Sequence, residues 1–184
     1  LYYYLVNVGS DVGALESATV RGALAAAIDR ADIVAAHSFD TAPTLAFNLI
    51  PDVLENDGIT GLDLVTESVS DAESALSTIT AFDFEVLYNT VDADTNPHEK
   101  LATEFKSQVE ALDAVGTVSL RVQDFAPYLE TRAAFGFDVA RAGWLMDDNN
   151  LDNYLEILVD QAGLDDDAVE AKISEAESAL ADGN

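Results

Sequence analysis

From residue 82 to the carboxyl end, the hydrophobic period of the chain switches repeatedly, and that alternation limits the possible folds more than any other feature. "FDFEVLYNT" (82–90) reads as a strand. "NPHEK" then opens a helix, with Asn96 as N-cap, Pro97 at the first helical position and Glu99 two residues further on. Leu101, Phe105, Val109 and Leu112 continue its apolar stripe. "TVSLRV" (117–122) alternates with period two and reads as a strand. "APYLETRAAFG" (126–136) is a helix with Pro127 near its start and Gly136 at its stop. "FDVARAGW" (137–144) is a further strand. Leu151, Tyr154, Leu155 and Leu158 mark another helix, and Val169, Ile173, Ala176 and Leu180 the last. Strands alternating with helices across short loops predict an α/β domain whose sheet is mostly parallel and flanked by helices.

The first half is less regular. "LYYYLVNV" (1–8) followed by "GSDVG" reads as a strand and a turn. "TVRGALAAAIDRADIVAA" (19–36) places Val20, Leu24, Ala27, Ile28, Ala31 and Val34 at helical spacing. Residues 37–66 hold Pro43, Pro51 and Gly58 and read mostly as loop. Ser70 and Glu73 stand at capping-box spacing, so a short helix is expected to follow them. The 184 residues fit one domain, 1–184, and the 49% hydrophobic content suits a packed core rather than a disordered acidic tail.

The net charge is −27, from 35 acids against 8 bases. A field of that sign repels nucleic acid and anionic membrane surfaces. It fits either a solvated acidic surface or an acidic site for amines or metals. Cysteine is absent, which removes disulfides and thiolate ligands. There is no phosphate-cradling glycine loop, no nucleophile elbow and no nucleophile–base pair, so the chain does not read as an enzyme. No cofactor and no metal are expected. "DADTN" (92–96) resembles a calcium loop but lacks its turn glycine and distal glutamate. Of the two histidines, His37 sits in a mixed loop. His98 lies in the first turn of a helix, where the dipole disfavours its protonated form.

In open α/β sheets, ligands sit beyond the carboxyl ends of the strands. "FDVARAGWLMDDNN" (137–150) runs to such an end and then into the single tryptophan and a group of acids and amides. Arg141 lies within the strand run and needs a carboxylate or carbonyl partner; an internal lock with Asp138 is one reading and a ligand contact the other. Trp144 is either core or an apolar wall with a polar N–H. Asp147 either caps the helix starting near Asn150 or accepts a charge-assisted hydrogen bond from a ligand ammonium.

This stretch closely resembles the "FDVARAGW-x-x-D-x-N" segment of the oligopeptide-binding proteins of ABC importers, family 5 of the extracellular solute-binding proteins. "YYYLVN", "VRGALAAAIDRADIV", "FEVLYNT…HEKLATEFKSQVEAL" and "VSLRVQDFAPYLETR" resemble further segments of that family, in the family's order. The resemblance implies a periplasmic-binding-protein type II-like lobe. Family members are longer and have two lobes that close on a peptide. This chain resembles the C-terminal (second) lobe alone, so the first lobe and the importer's membrane subunits are implied partners. An extracellular or periplasmic location, with or without a lipoprotein anchor, is implied as well.

By the same resemblance, Asp147 matches the aspartate that binds the peptide's terminal amine, and Trp144 lines a side-chain pocket. Arg132 and Arg141 match arginines near the peptide cleft, and His98 a histidine that meets the far end of longer peptides. Phe125 stands where peptide binders often have a second pocket tryptophan. Leu145 and Met146 replace smaller residues, and Asp148 replaces a tyrosine. The family also holds dipeptide, nickel, haem and sugar binders, and its lobe occurs in ligand-sensing regulators. These are the alternatives to an oligopeptide importer.

Overall fold

The computed structural model describes residues 2–36, 45, 65–91 and 96–143. Nearly all of the loop expected at 37–66, most of the "DADTN" segment and the two helices expected after residue 150 lie outside the described residues. Strand β1 (Tyr2–Val6) leads through a short 3-10 turn (Gly13–Glu16) into helices α1 (Ala18–Ala26), α2 (Arg30–Ala35) and α3 (Val69–Leu76). The alternating part follows as β2 (Phe82–Asn89), α4 (Pro97–Val109), β3 (Val115–Gln123), α5 (Phe125–Ala133) and β4 (Val139–Gly143). The α/β alternation is therefore present as the sequence predicts.

The four strands form one sheet in the order β1-β4-β2-β3. β2 runs parallel to both β3 and β4, and β1 pairs antiparallel with β4. The sheet is thus mostly parallel, with one antiparallel edge. Period-two alternation sends successive side chains to opposite faces. On one face, Phe84, Val86, Val118 and Val139 pack beneath Val20 and Leu24 of α1, Leu76 of α3, and Phe105 and Val109 of α4. On the other, Leu87, Phe137 and Ala140 pack against Tyr128 of α5. Tyr128, Leu87, Val86 and Val139 are fully buried.

Two helix boundaries differ from the sequence expectation. The single helix expected over 19–36 divides between Ala26 and Arg30. Asp29 is extended there, and its side chain accepts from the Asp32 backbone N–H as an N-cap. The Gln108 side chain of α4 holds both polar groups of the Asp29 backbone, at 2.9 and 3.2 Å. A tertiary amide clamp and a local cap therefore outweigh the apolar spacing. In α3 the cap is Ser68, which accepts from Asp71 N at 3.2 Å, and not Ser70. Glu73, expected in a capping box, instead accepts from Asp113 N at 2.9 Å.

The end of α5 carries a further departure. Phe135 N–H donates to Arg132 O at 3.0 Å and Gly136 N–H to Thr131 O at 2.9 Å, the paired bonds of a Schellman motif. The left-handed position of that motif is occupied by Phe135, with φ of 53°, and Gly136 follows it. Glycine was placed one residue too late to relieve the strain. Phe135→Gly is expected to stabilise the chain by about 0.5–1 kcal/mol in urea unfolding, because the left-handed cost of a side chain exceeds the entropy glycine adds to the unfolded state.

The last turn of α4 is clamped to β3. Glu110 accepts from Val118 N at 2.7 Å and from Lys106 Nζ at 2.9 Å, and Lys106 Nζ also donates to Val118 O. The Val118 N–H, followed by Lys106, holds the Glu110 carboxyl below its ordinary value of 4.5. A depressed carboxylate contributes stability that is complete above the unfolded value and is lost as pH falls through the folded one. Glu110→Gln keeps an acceptor for Val118 but does not titrate. The stability gap between the two proteins, read from urea midpoints, is expected to be widest above pH 4.5 and to close in more acidic buffer.

Candidate ligand-binding site

Because β2, β3 and β4 run in the same direction, their carboxyl ends, Asn89, Gln123 and Gly143, lie along one edge of the sheet. β1 enters the sheet at that edge with Tyr2, paired with Gly143. Helices α4 and α5 begin there too, since each follows a strand after a short connection. Side chains fasten these connections. Asn96 caps α4 and donates through Nδ2 to Asn89 O at 3.0 Å. Thr90 donates its backbone N–H to Gln123 O at 2.8 Å and its hydroxyl to Asp124 at 3.1 Å.

Arg141, near the end of β4, lies half-buried on the face covered by α4. Its guanidinium sits 5.0 Å from the centroid of the Tyr2 ring, and Nη1 donates to Asn89 Oδ1 at 3.3 Å. Nε is buried and meets no acceptor among the described residues. His98, in the first turn of α4, packs on the same Tyr2 ring with centroids 5.7 Å apart. Tyr4 lies edge-on to Tyr2 at 6.0 Å and stacks on Phe105 at 4.6 Å.

A second group occupies the opposite face. Tyr128 donates its hydroxyl to the Arg141 carbonyl. Arg132, one turn along α5, donates to the Tyr128 oxygen at 3.3 Å and lies 5.5 Å over its ring. Phe125 stacks on Tyr128 at 6.3 Å and is 54% exposed. Arg141, His98, Arg132 and Phe125 are thus linked through Tyr2, Tyr128 and Asn89. None of those three linking residues stands out in the sequence. Asn89 betrays itself only by burial, being one of two buried polar residues among those described, with 3% exposure.

The expected lock between Arg141 and Asp138 is absent. Asp138 precedes the first residue of β4 and accepts from the Ser10 hydroxyl and, at 2.9 Å, from Glu85 N. It lies three positions before Arg141 along an extended chain, so the two side chains leave opposite faces about 10 Å apart. Trp144, Leu145 and Asp147, with Met146 and Asp148, lie outside the described residues.

The electrostatics of this edge are simple. Burial pushes the Tyr2 phenol up to about 12, against the opposing pull of Arg141, and burial raises Tyr4 and Tyr3 as well. The phenols are therefore neutral near pH 7. Two guanidiniums supply positive charge, and their contacts among the described residues are aromatic faces, a phenol oxygen and an amide oxygen. A guanidinium so held retains N–H groups for a planar anion such as a carboxylate.

Comparison with known proteins agrees with this architecture. A sequence model of the family described as "Bacterial extracellular solute-binding proteins, family 5 Middle" matches residues 1–166. The chain is 35% identical over 88 residues to the periplasmic oligopeptide-binding protein OppA of Salmonella typhimurium, a match spanning 48% of this chain and 15% of that protein. Among solved structures, it is similar to the substrate-binding domain of an oligopeptide ABC transporter from Bacillus anthracis, with a TM-score of 0.74 and 22% identity over 97% of this chain and 37% of that one. The murein tripeptide binding protein MppA of Escherichia coli gives a TM-score of 0.71 and 26% identity over 88% of this chain and 32% of that one. The chain thus spans about a third of the length of these relatives of known structure. Its sheet and flanking helices have the periplasmic-binding-protein type II arrangement, and the chain belongs to the bacterial extracellular solute-binding proteins of family 5.

Proposed function

We infer that this chain is the second lobe of the substrate-binding component of an ABC importer, and that it holds oligopeptides against a first lobe. The observation that carries the reading is Arg141. In a chain with 35 acids and 8 bases, this guanidinium rests at the carboxyl edge of the sheet on an aromatic face and a neutral amide. Among the described residues it has no carboxylate partner. Such a charge suits a ligand carboxylate. Asp147, six residues further along the sequence, would supply the opposite charge for a terminal ammonium. One anion-accepting and one cation-accepting group fit a zwitterionic peptide.

In this reading the peptide backbone is recognised as an added strand. Trp144 and Leu145 line a pocket for its first side chain, and Phe125 lines a second. Arg132 and His98 meet the more distant parts of longer ligands. Closure of the two lobes by hinge motion traps the peptide, and the membrane subunits of the importer receive it. The relatives support the assignment. The Salmonella protein bears the name of an oligopeptide binder, and a Haemophilus influenzae OppA, 22% identical, was crystallised with the peptide RPPGFSPFR. A location outside the cytoplasmic membrane, periplasmic or anchored as a lipoprotein, goes with the same reading.

The test is a titration of tripeptides followed by NMR of the Trp144 indole. A free tripeptide is expected to shift that signal, and its N-acetylated form to bind at least about tenfold more weakly, since a charge-assisted hydrogen bond is worth about 1.5–3 kcal/mol. Equal affinity for the two forms removes Asp147 as the amine anchor. Arg141 is tested from the other end of the ligand. Arg141→Gln is expected to weaken binding of the free acid about tenfold while leaving binding of a C-terminally amidated tripeptide unchanged. An equal loss for both ligands would make Arg141 a purely structural residue.

A further inference from the structure

Between Arg30 and Lys100 the sequence contains neither lysine nor arginine. Glu67, Asp71, Glu73, Asp83 and Glu85 fall within the described part of that span. Among the described residues there are three ion pairs, Arg30–Glu67, Lys106–Glu110 and Arg121–Glu85. Other bases are engaged elsewhere. Arg21 donates to the carbonyls of Leu15 and Glu16, and Arg132 and Arg141 lie over tyrosine rings. With 35 acids against 8 bases, internal pairing leaves most of the carboxylates uncompensated. Asp11, Glu16, Asp113 and Glu130 are exposed, and none of their carboxylates has a hydrogen bond or ion pair among the described residues. Helix α3 carries Asp71 and Glu73 and no base.

Folding brings these charges together, and expansion separates them, so their repulsion acts against the native state. The range of that repulsion is set by mobile ions. The Debye length is about 10 Å at 0.1 M salt and about 3 Å at 1 M. At the lower value neighbouring surface carboxylates act on one another; at the higher value they are largely hidden. The cores on the two faces of the sheet are apolar and do not depend on salt in this way. We propose that folding of this domain is gated by salt: monovalent cations at about molar concentration complete the native state, and near 0.1 M or below the chain is largely expanded. The cations act by screening across the surface and not at one coordinated site. The inference stands apart from the peptide-binding reading, because it rests on the charge distribution and not on the ligand.

The experiment follows the far-UV circular dichroism of the chain and its urea midpoint from about 0.1 to about 3 M KCl. The expected result is a cooperative gain of helical signal with KCl, reproduced by NaCl at the same concentration. Sucrose at low salt is excluded from protein surfaces but does not screen charge, and it should fail to restore the fold. Replacing Asp11→Lys, Glu16→Lys, Asp113→Lys and Glu130→Lys together changes four exposed positions without touching a described side-chain contact. That variant is expected to fold at a KCl midpoint lowered at least about twofold. Four outcomes would overturn the proposal: equal stability at the two ends of the salt range, an unfolded chain at every salt concentration, recovery by sucrose equal to that by KCl, or an unchanged KCl midpoint in the lysine variant.

Discussion

β4 is bonded on both sides, and the arrangement of the candidate site depends on its register. It pairs antiparallel with β1 along Tyr2–Val6 and parallel with β2 at Val86 and Leu87. Val139 and Arg141 therefore face α4, while Ala140 and Ala142 face α5. The two alanines are fully buried. Their small size leaves space for Tyr128, whose hydroxyl reaches the Arg141 carbonyl. A slip of one residue would turn Arg141 into the space that Ala140 shares with Tyr128 and Phe137. Burying an unpaired guanidinium there costs several kcal/mol, roughly half the net stability of a domain. Burial on one face thus fixes where the charge emerges on the other.

The alternating half of the fold was legible because its signals are local. The Asn96–Pro97 start of α4 and its stripe Leu101, Phe105 and Val109 are both present; Leu112, expected to continue the stripe, is buried too but lies beyond the helix end at Val109. The errors occur where distant contacts decide. No local signal could reveal that Gln108 would grip the backbone at Asp29 and divide an apparently continuous helix. Glu73 had the right spacing for a capping box, but a carboxylate accepts from whichever N–H arrives with better geometry, and Asp113 supplied it. The antiparallel pairing of β1 was hidden for the same reason. A strand of five half-buried residues does not declare its neighbour or its direction.

At the candidate site the charged residues stand out in the sequence and their supports do not. A guanidinium inside a strand run is conspicuous, because an arginine there must find a partner. The partner itself was misread as Asp138, since closeness in sequence is not closeness across a pleat. Tyr2, Asn89 and Tyr128 do the positioning. Each looks ordinary in sequence: a tyrosine in an aromatic run, an asparagine ending a strand, a tyrosine in a helix. Tyr128 acts through both ends, stacking on Phe125, accepting from Arg132 and donating to the β4 backbone. Only the sheet order, which places β4 between β1 and β2, gives these residues a common purpose.

The surplus of acids also has a structural use. Glu73, Asp83, Glu110 and Asp138 accept from the backbone N–H groups of Asp113, Thr117, Val118 and Glu85. Each bond joins elements separated in the chain, and three of the four donors lie in β2 or β3. Even Gly116 serves one of them, since a side chain there would displace the Asp83 carboxylate. An amide side chain could accept the same bonds without a charge, but a charge-assisted bond is about twice as strong. The disadvantage is repulsion, which acts over several ångströms and yields to salt, whereas the hydrogen bond acts at contact and yields much less. Screening therefore removes the cost of these carboxylates and leaves their gain. These four carboxylates therefore act as backbone staples, and salt weakens their mutual repulsion more than it weakens the bonds themselves.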